Sequence, residues 1–594
     1  MTQDQGSTQL TEELRTMHIT ETHAVPFRRS PGQAISDNLR DSSDVPAAFP
    51  IHCLPPEVLS LVLYHVVLPR LNQYGHLDVT GDPAVLHRTV FTDFQPGSLP
   101  LTSSPRPQTP WKKTVVLSLV CTAWRSLLLN TPSVWTYMQG ARPERIEEML
   151  SRSGTVPFIL CHNSTPDESC YPPLAASLGR MKELVLFRRT ARGLQECMDQ
   201  LLGVETPALE SLAIVAPCWP LTIDLPQEII TLPRPALRHL TLLDCKLPDD
   251  CTPCFPRLLT LHMKLLNAPA AQVLYDMLSS SLEVEVLWLY WFVSIPPAEP
   301  GSLPYEDVHL AHLSHLTMAF DLRDSVHLLS YLRYPKTAKQ RFRFTTSASG
   351  SLPQDEWHIW TKALVGRLGL DGDNNSFTHA FVNLGSLRQS SVYVWKDDQC
   401  EGHRDNENTI LRNAVIVIDV CHSHVPDVNL FSAFCAAILL PDLSSLCITQ
   451  KSRSGHVDHS DLLNRHPQIR HLQLEGDAAA EAILPILTRS LLSVQSGNMC
   501  FPKLRDLRLK NVTLREPTFY DDYTKQILLQ VPTQLYLLLV GFLGYRAKCL
   551  QELGIGFETI GLYHCPGMEV WMEEDLIRVL ARIPGLRREV DVWR

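Results

Sequence analysis

The chain has 594 residues, a formal net charge of -10, 44% hydrophobic and 20% charged residues. That length exceeds one ordinary core and points to several domains or a repeat array. The composition is that of a globular chain, and the acidic excess argues against a general nucleic-acid binder, which needs a basic field.

Residues 1–50 are polar, with scattered Pro, Ser, Asp and Arg and no sustained period, and read as a disordered tail. The N-terminal stretch MTQDQGSTQLTEELR has no apolar signal-peptide core. The longest greasy run, Leu535 to Leu543, falls far short of the roughly 20 residues that span a bilayer. The 16 cysteines are scattered, many of them in apolar segments, as at Cys121, Cys245 and Cys447. That usage fits reduced thiols of a cytoplasmic or nuclear protein. Neither a membrane nor a nucleic acid is therefore expected as a partner.

In Leu54-Pro55-Pro56-Glu57-Val58-Leu59-Ser60-Leu61-Val62 the prolines open a helix and Glu57 complements its dipole. Leu54, Val58, Leu61, Val62 and His65 share one face, and Pro69 ends the helix. From Arg70 to Lys113 come Pro96, Pro100, Pro105, Pro107 and Pro110, interleaved with Ser and Thr. Such spacing forbids regular structure and reads as a surface loop. Ser104-Pro105 and Thr109-Pro110 are candidate phosphorylation steps within it. From Thr114 the apolar residues Val116, Leu119, Val120, Ala123, Trp124, Leu127 and Leu128 follow the stripe of one amphipathic helix, ending near Asn130. Thr131-Pro132 reads as a cap and the first position of a new turn, so that Trp135 sits on a short helix folding back.

The stretches LPPEVLSLVL, LSLVCTAWRSLLL and PSVWTYM, in that order, resemble an F-box, three short helices that dock on the adaptor subunit of a cullin-based ubiquitin ligase. The family joins its first two helices by a short link, whereas here residues 70–113 intervene. They would loop out cheaply, because each doubling of loop length adds only roughly 0.6 kcal/mol of closure entropy. The resemblance implies a Skp1-like adaptor as partner. It also implies that Leu54, Pro55, Val58, Leu59, Val62, Leu119, Val120, Trp124 and Leu127 form the module's core and its adaptor-facing surface, undivided between the two. Trp135 would anchor the third helix.

Beyond Arg142, Pro143–Leu150 reads as a helix and Val156–Leu160 as a strand. A pattern then recurs. Leu237-x-x-Leu240-x-Leu242-x-x-Cys245 fits the strand of a leucine-rich repeat in full. Weaker copies begin at Met181, Leu209, Leu258, Val284, Leu313, Leu443, Ile469, Leu504 and Leu550. Proline stands two residues before the first apolar position at Pro207, Pro235, Pro256, Pro441, Pro467 and Pro502, where it fits a strand's first residue and stops a preceding helix. Alternate residues face one side of a strand, so the Leu-x-Leu pairs would pack into a core that neighbouring repeats share. Between residues 321 and 440 the pattern blurs; Phe342–Phe344, Val392–Val394 and Val415–Ile418 read as strands of degenerate repeats. Met572–Arg582 reads as a capping helix. The expected fold class is α/β: an F-box-like helical module at 51–140 with its loop at 70–113, then an irregular leucine-rich-repeat solenoid over 141–594. Families of this architecture, common among fungi, act as substrate receptors.

Signs of catalysis are few. The chain has no Gly-Lys-Ser/Thr phosphate loop, no Gly-x-Ser-x-Gly elbow and no His-Glu-x-x-His. Gly554-Ile555-Gly556 lacks the third glycine of a dinucleotide loop. Asp371-x-Asp373-x-Asn375 begins like a calcium loop, but Ser376 and Val382 stand where glycine and glutamate are needed. Cys251-x-x-Cys254, with Cys245 near, has no second pair at zinc spacing. His422-x-His424 and His456-x-x-His459 lack a third ligand. No catalytic residue, cofactor or metal is therefore expected. What remains is the row between the buried leucines, where His239, His262, Trp288, His315, His471 and Arg508 are the candidate target-binding residues. Trp288 with Tyr290 would meet either a partner or a covering segment of the chain. The implied function is the substrate-recognition subunit of a cullin–RING ubiquitin ligase. The alternatives are a non-catalytic repeat scaffold whose F-box-like helices only cap the solenoid, and an enzyme with a deep polar pocket.

Overall fold

Proline at a first helical turn loses no hydrogen bond, and among the described residues three of the first four helices begin on one. In the computed structural model these are α1 (Pro56–Val67), α2 (Pro110–Ser118), α3 (Thr122–Leu129) and α4 (Pro143–Ser153), with a 3₁₀ turn at Pro132–Trp135. The structure describes residues 54–67, 110–139, 143–162, 174–187, 191–203, 205–216, 223–248, 251, 255–267, 269, 271–293, 306–320, 322–346, 354–368, 370, 377–384, 389–395, 414–422, 437–438, 440–450, 460–492, 501–514, 534–553, 558–565, 570–581 and 587–591. Residues 1–55 form a unit of their own, and of it only Leu54 and Pro55 are described. The expected tail, both candidate phosphorylated residues (Ser104 and Thr109), the Asp371–Asn375 loop, Cys254, His424, the His456–His459 pair and the Gly554–Gly556 step lie outside the described residues.

The single helix expected from Thr114 onward is two. The break falls at Leu119-Val120-Cys121, where the Cys121 sulfur accepts from the Trp124 N–H at 3.4 Å and so starts α3. Arg125 Nε donates back to the Ser118 carbonyl at 3.1 Å, closing α2. A side-chain cap at each side of the joint thus overrides the continuous apolar stripe. The expected loop is also shorter than 70–113, since Pro110–Lys113 is already helix.

The strands are β1 (Tyr137–Gln139), β2 (Phe158–His162), β3 (Met181–Phe187), β4 (Ser211–Val215), β5 (Ile223–Asp224), β6 (His239–Lys246), β7 (Thr260–Asn267), β8 (Val286–Val293), β9 (Val308–His309), β10 (His315–Phe320), β11 (Leu332–Arg333), β12 (Lys339–Thr346), β13 (His379–Leu384), β14 (Gln389–Trp395), β15 (Ile416–His422), β16 (Ser445–Gln450), β17 (His471–Glu475), β18 (Asp506–Lys510), β19 (Thr559–Tyr563) and β20 (Arg587–Asp591). The later helices are α5 (Ala191–Leu202), α6 (Gln227–Thr231), α7 (Ala271–Ser280), α8 (Leu322–Tyr331), α9 (Gln354–Leu368), α10 (Ser460–Arg465), α11 (Asp477–Leu492), α12 (Gln534–Leu553) and α13 (Val570–Leu580). The class is α/β, with one open, mostly parallel sheet. Its spatial order is β1-β2-β3-β4-β6-β7-β8-β10-β12-β15-β14-β13-β16-β17-β18-β19-β20, with β5 beside the end of β6. β9 and β11 pair separately.

Register explains the recurring leucines. Leu186, Ile214, Leu242, Met263, Leu289, Met318 and Phe342 are successive cross-strand partners. The line continues through Ile418, Val392, Val382, Ile448, Leu474, Leu509 and Leu562. None of these fourteen side chains is more than 3% exposed. Parallel neighbours need a crossover between strands, and the crossover helices cover this face, as where α11 packs on β16 and β17. A second line runs Leu184, Leu212, Leu240, Leu261, Leu287, Leu316. It then meets buried Gln340, which accepts from the Tyr334 hydroxyl at 3.0 Å.

The prolines act one step earlier than a strand's first residue. The N–H of the first apolar residue bonds to the carbonyl three residues back: Leu209 to Thr206, Leu237 to Arg234, Leu258 to Phe255, Leu443 to Leu440, Ile469 to His466 and Leu504 to Phe501. Proline occupies the second place of each of these turns, where its fixed φ is an advantage. Val284 to Ser281 and Leu313 to Leu310 close the same turn without proline.

Buried arginines tie consecutive crossovers together. Arg234 donates to the carbonyls of Ile229 at 2.6 Å and Leu202 at 2.9 Å. Arg546 reaches the Phe501, Pro502 and Leu504 carbonyls. A guanidinium carries enough donors to satisfy several backbone carbonyls that a turn leaves unpaired.

Four expectations about the sheet need correction. β14 is antiparallel between β13 and β15, so the blurred region is a chain reversal inserted into the sheet, not a set of degenerate parallel repeats. The copy expected at Leu550 falls on the end of α12, and the strand comes later, at Thr559. The helix expected to cap the array is α13, a crossover between β19 and a final parallel strand, β20. At the other end, Tyr137–Gln139 is already β1, so the sheet begins within the span given to the helical module.

Candidate functional site

The helical segment splits its apolar residues into two sets. Helix α1 packs against α2, α3 and the 3₁₀ turn. Leu59, Leu63, Leu128 and Trp135 are buried there. The Trp135 indole donates to the Leu128 carbonyl at 2.9 Å, and the Arg152 guanidinium lies 4.5 Å over its ring. Lys113 Nζ donates to the Val66 carbonyl at 3.3 Å, tying α2 to the end of α1. The Thr131 hydroxyl bonds back to the Leu127 carbonyl at 2.7 Å rather than capping the turn that follows.

The other set faces outward. Val58 is 43% exposed, Leu61 57%, Leu119 53% and Val120 58%. Val66, Val116 and Leu129 are exposed too. Val62, Trp124 and Leu127 are half-buried, as is Leu54, while Pro55 is exposed. Of the residues left undivided by sequence, Leu59 is therefore core, while Val58, Leu119 and Val120 are surface. A small element that leaves this much aliphatic surface in water has apolar area to bury elsewhere.

The sheet's other face carries the remaining candidates, in two groups. His239, His262, Trp288 and His315 lie on four adjacent strands, β6, β7, β8 and β10. Trp288 and Tyr290 are buried at 6% and 7% exposure, stacked with centroids 6.4 Å apart, among Leu243 and Ala319. His262 is buried edge-on to Trp288; burial, with His239 adding to it, pushes its pKa down to about 4. Of the two readings of Trp288 and Tyr290, cover by the chain itself is the one seen. Large rings next to one another exclude water from the sheet surface without help from a partner. His239 shares a hydrogen bond with Thr260 Oγ1 at 3.1 Å, and His315 with Ser314 Oγ at 2.9 Å.

The second group surrounds a small, partly open pocket of about 30 Å³. His471 and Arg508 line it, with His379, Trp395, Cys447, Gln473 and Asp506. His471 Nδ1 lies 2.6 Å from Asp506 Oδ2. Burial alone would raise the Asp506 carboxyl, but hydrogen bonds from His471 and Thr559, together with the charges of His471 and Arg508, outweigh it and hold the group below its ordinary range. Arg508 lies 6.0 Å from the Tyr563 ring. His379 is buried and stacks on Trp395 at 5.5 Å. Sequence reasoning missed His379 and Trp395. The alternation His379-x-Phe381 and Tyr393-x-Trp395 was the available signal, but their strands meet only through the antiparallel insertion.

Cys245 is fully buried with its sulfur near the Leu243 carbonyl, and burial raises its thiol. Among the described residues no group of three His, Cys, Asp or Glu is placed to hold a metal ion. Among them, too, no helix is long and apolar enough to cross a membrane. Compared with protein-family models the chain finds no match, and compared with curated proteins it finds none either.

Proposed function

We propose that the chain is the target-recognition subunit of a cullin–RING ubiquitin ligase, its first helices acting as an F-box and its sheet as an irregular leucine-rich-repeat solenoid. The observation that carries this reading is the outward set Val58, Leu61, Leu119 and Val120 beside the inward set Leu59, Leu63, Leu128 and Trp135. A module that serves only to close the sheet would turn both sets inward. On this reading a Skp1-like adaptor covers the outward set, and the face of the sheet opposite the leucine line holds the target. The chain itself makes and breaks no bonds; it raises the target's local concentration near the conjugating enzyme.

A second reading, that of a repeat scaffold capped by these helices, draws on one observation. β1 follows the 3₁₀ turn directly and is an edge strand of the sheet. Co-purification separates the two. The full chain should recover the Skp1-like adaptor in stoichiometric amount, and a chain that recovers none would be a scaffold.

A further inference from the structure

We propose that the pocket between β14 and β18 binds a carboxylate of a target peptide, with Trp395 and Arg508 as its principal contacts. The inference deepens the target-recognition reading of the sheet face and rests on it. Two independent observations meet at this place. The first is an unsatisfied donor. Trp395 is 6% exposed and lines the pocket, and its indole N–H is buried with no hydrogen-bond partner. Buried donors are normally paired, because an unpaired one forfeits its hydration for nothing. An indole N–H can only donate, so what completes it must bring an acceptor.

The second is the charge pattern of the lining. Its one carboxylate, Asp506, has His471 at 2.6 Å, a further hydrogen bond from Thr559 and the charge of Arg508 near it. Asp506 is thus engaged by its own neighbours. Arg508 is the permanent cation of the lining, and a guanidinium pairs with a carboxylate through two parallel bonds. Ala380, Cys447 and Leu472 supply an apolar wall beside these donors. The arrangement suits an acceptor-rich anion attached to a small apolar group, as at the end of a peptide or on an acidic side chain next to an aliphatic one.

The probe is an array of randomised octapeptides in two forms, free acid and C-terminal amide, read with the purified full chain. Wild type should select peptides carrying a carboxylate. Preference for the free acid places the anion at the chain end, whereas selection of Asp or Glu in both forms places it on a side chain. Trp395→Phe keeps the ring and removes only the N–H, and Arg508→Gln removes the charge. Each should weaken the selected peptides about ten-fold or more, the loss of one hydrogen bond to a charged partner. Thermal melting of each variant checks folding, and adaptor capture, measured on the same samples, should be unchanged. The proposal is overturned if wild type binds no peptide, if the selected peptides lack a carboxylate, or if both folded variants bind as tightly as wild type. Loss of adaptor capture by wild type would instead overturn the ligase reading and leave the peptide result standing.

Discussion

Val120 and Leu119 form the joint between α2 and α3, at 58% and 53% exposure. Full burial of such a side chain contributes roughly 1.5–3 kcal/mol. About half of that area is still in water, so a covering partner would gain about 1 kcal/mol from each. Leu119→Ala with Val120→Ala should then weaken adaptor binding by about 2 kcal/mol, close to thirty-fold. Val120→Asp goes further, because a carboxylate forced into an apolar contact costs several kcal/mol more, beyond a thousand-fold in all. The same substitution lies in water in the free chain and should shift its stability by no more than about 0.5 kcal/mol. Two assays read the difference: calorimetric titration with the adaptor, and chemical denaturation of the chain alone. Leu128→Ala, at 0% exposure, is the contrast, and should cost about 2–5 kcal/mol of stability. The reasoning is refuted if Val120→Asp binds the adaptor like wild type, or if it unfolds the chain.

Other predictions concern the sheet. Leu240→Ala removes a 0%-exposed side chain from the second leucine line and should lower stability by about 2–5 kcal/mol, read as a lower denaturation midpoint at unchanged slope. Arg234→Met leaves the Leu202 and Ile229 carbonyls without their donor and should cost about 2–4 kcal/mol, with hydrogen exchange speeding up around α5 and α6. His262 stays neutral in the folded chain down to about pH 4, whereas the unfolded chain protonates it near 6.5. The unfolded state therefore binds more protons in that window, and stability falls as pH drops from about 6.5 to 4, by up to about 3 kcal/mol. In His262→Phe that part of the acid dependence should disappear from the denaturation curves.

The sequence by itself determined where nine strands of the long sheet lie and which of their leucines turn inward. Leu240 and Leu242, with their counterparts in eight other copies, were legible because alternate side chains of a strand share one face, and the apolar residues record that parity directly. The prolines were legible for the same local reason, since each fixes one φ, although they belong to the turn before the strand. Tertiary structure decided matters that depend on partners distant in the chain. The parity of β13 to β15 is the same for either strand direction, so the antiparallel β14 left no mark in the pattern. Helix α2 and helix α3 carry one unbroken stripe, and the break between them rests on the Cys121 and Arg125 caps. The pocket joins Trp395 to Arg508, and no periodicity relates residues so far apart. Likewise Trp288 reads as an outward residue by parity alone, and becomes buried only when Tyr290, Leu243 and Ala319 close around it.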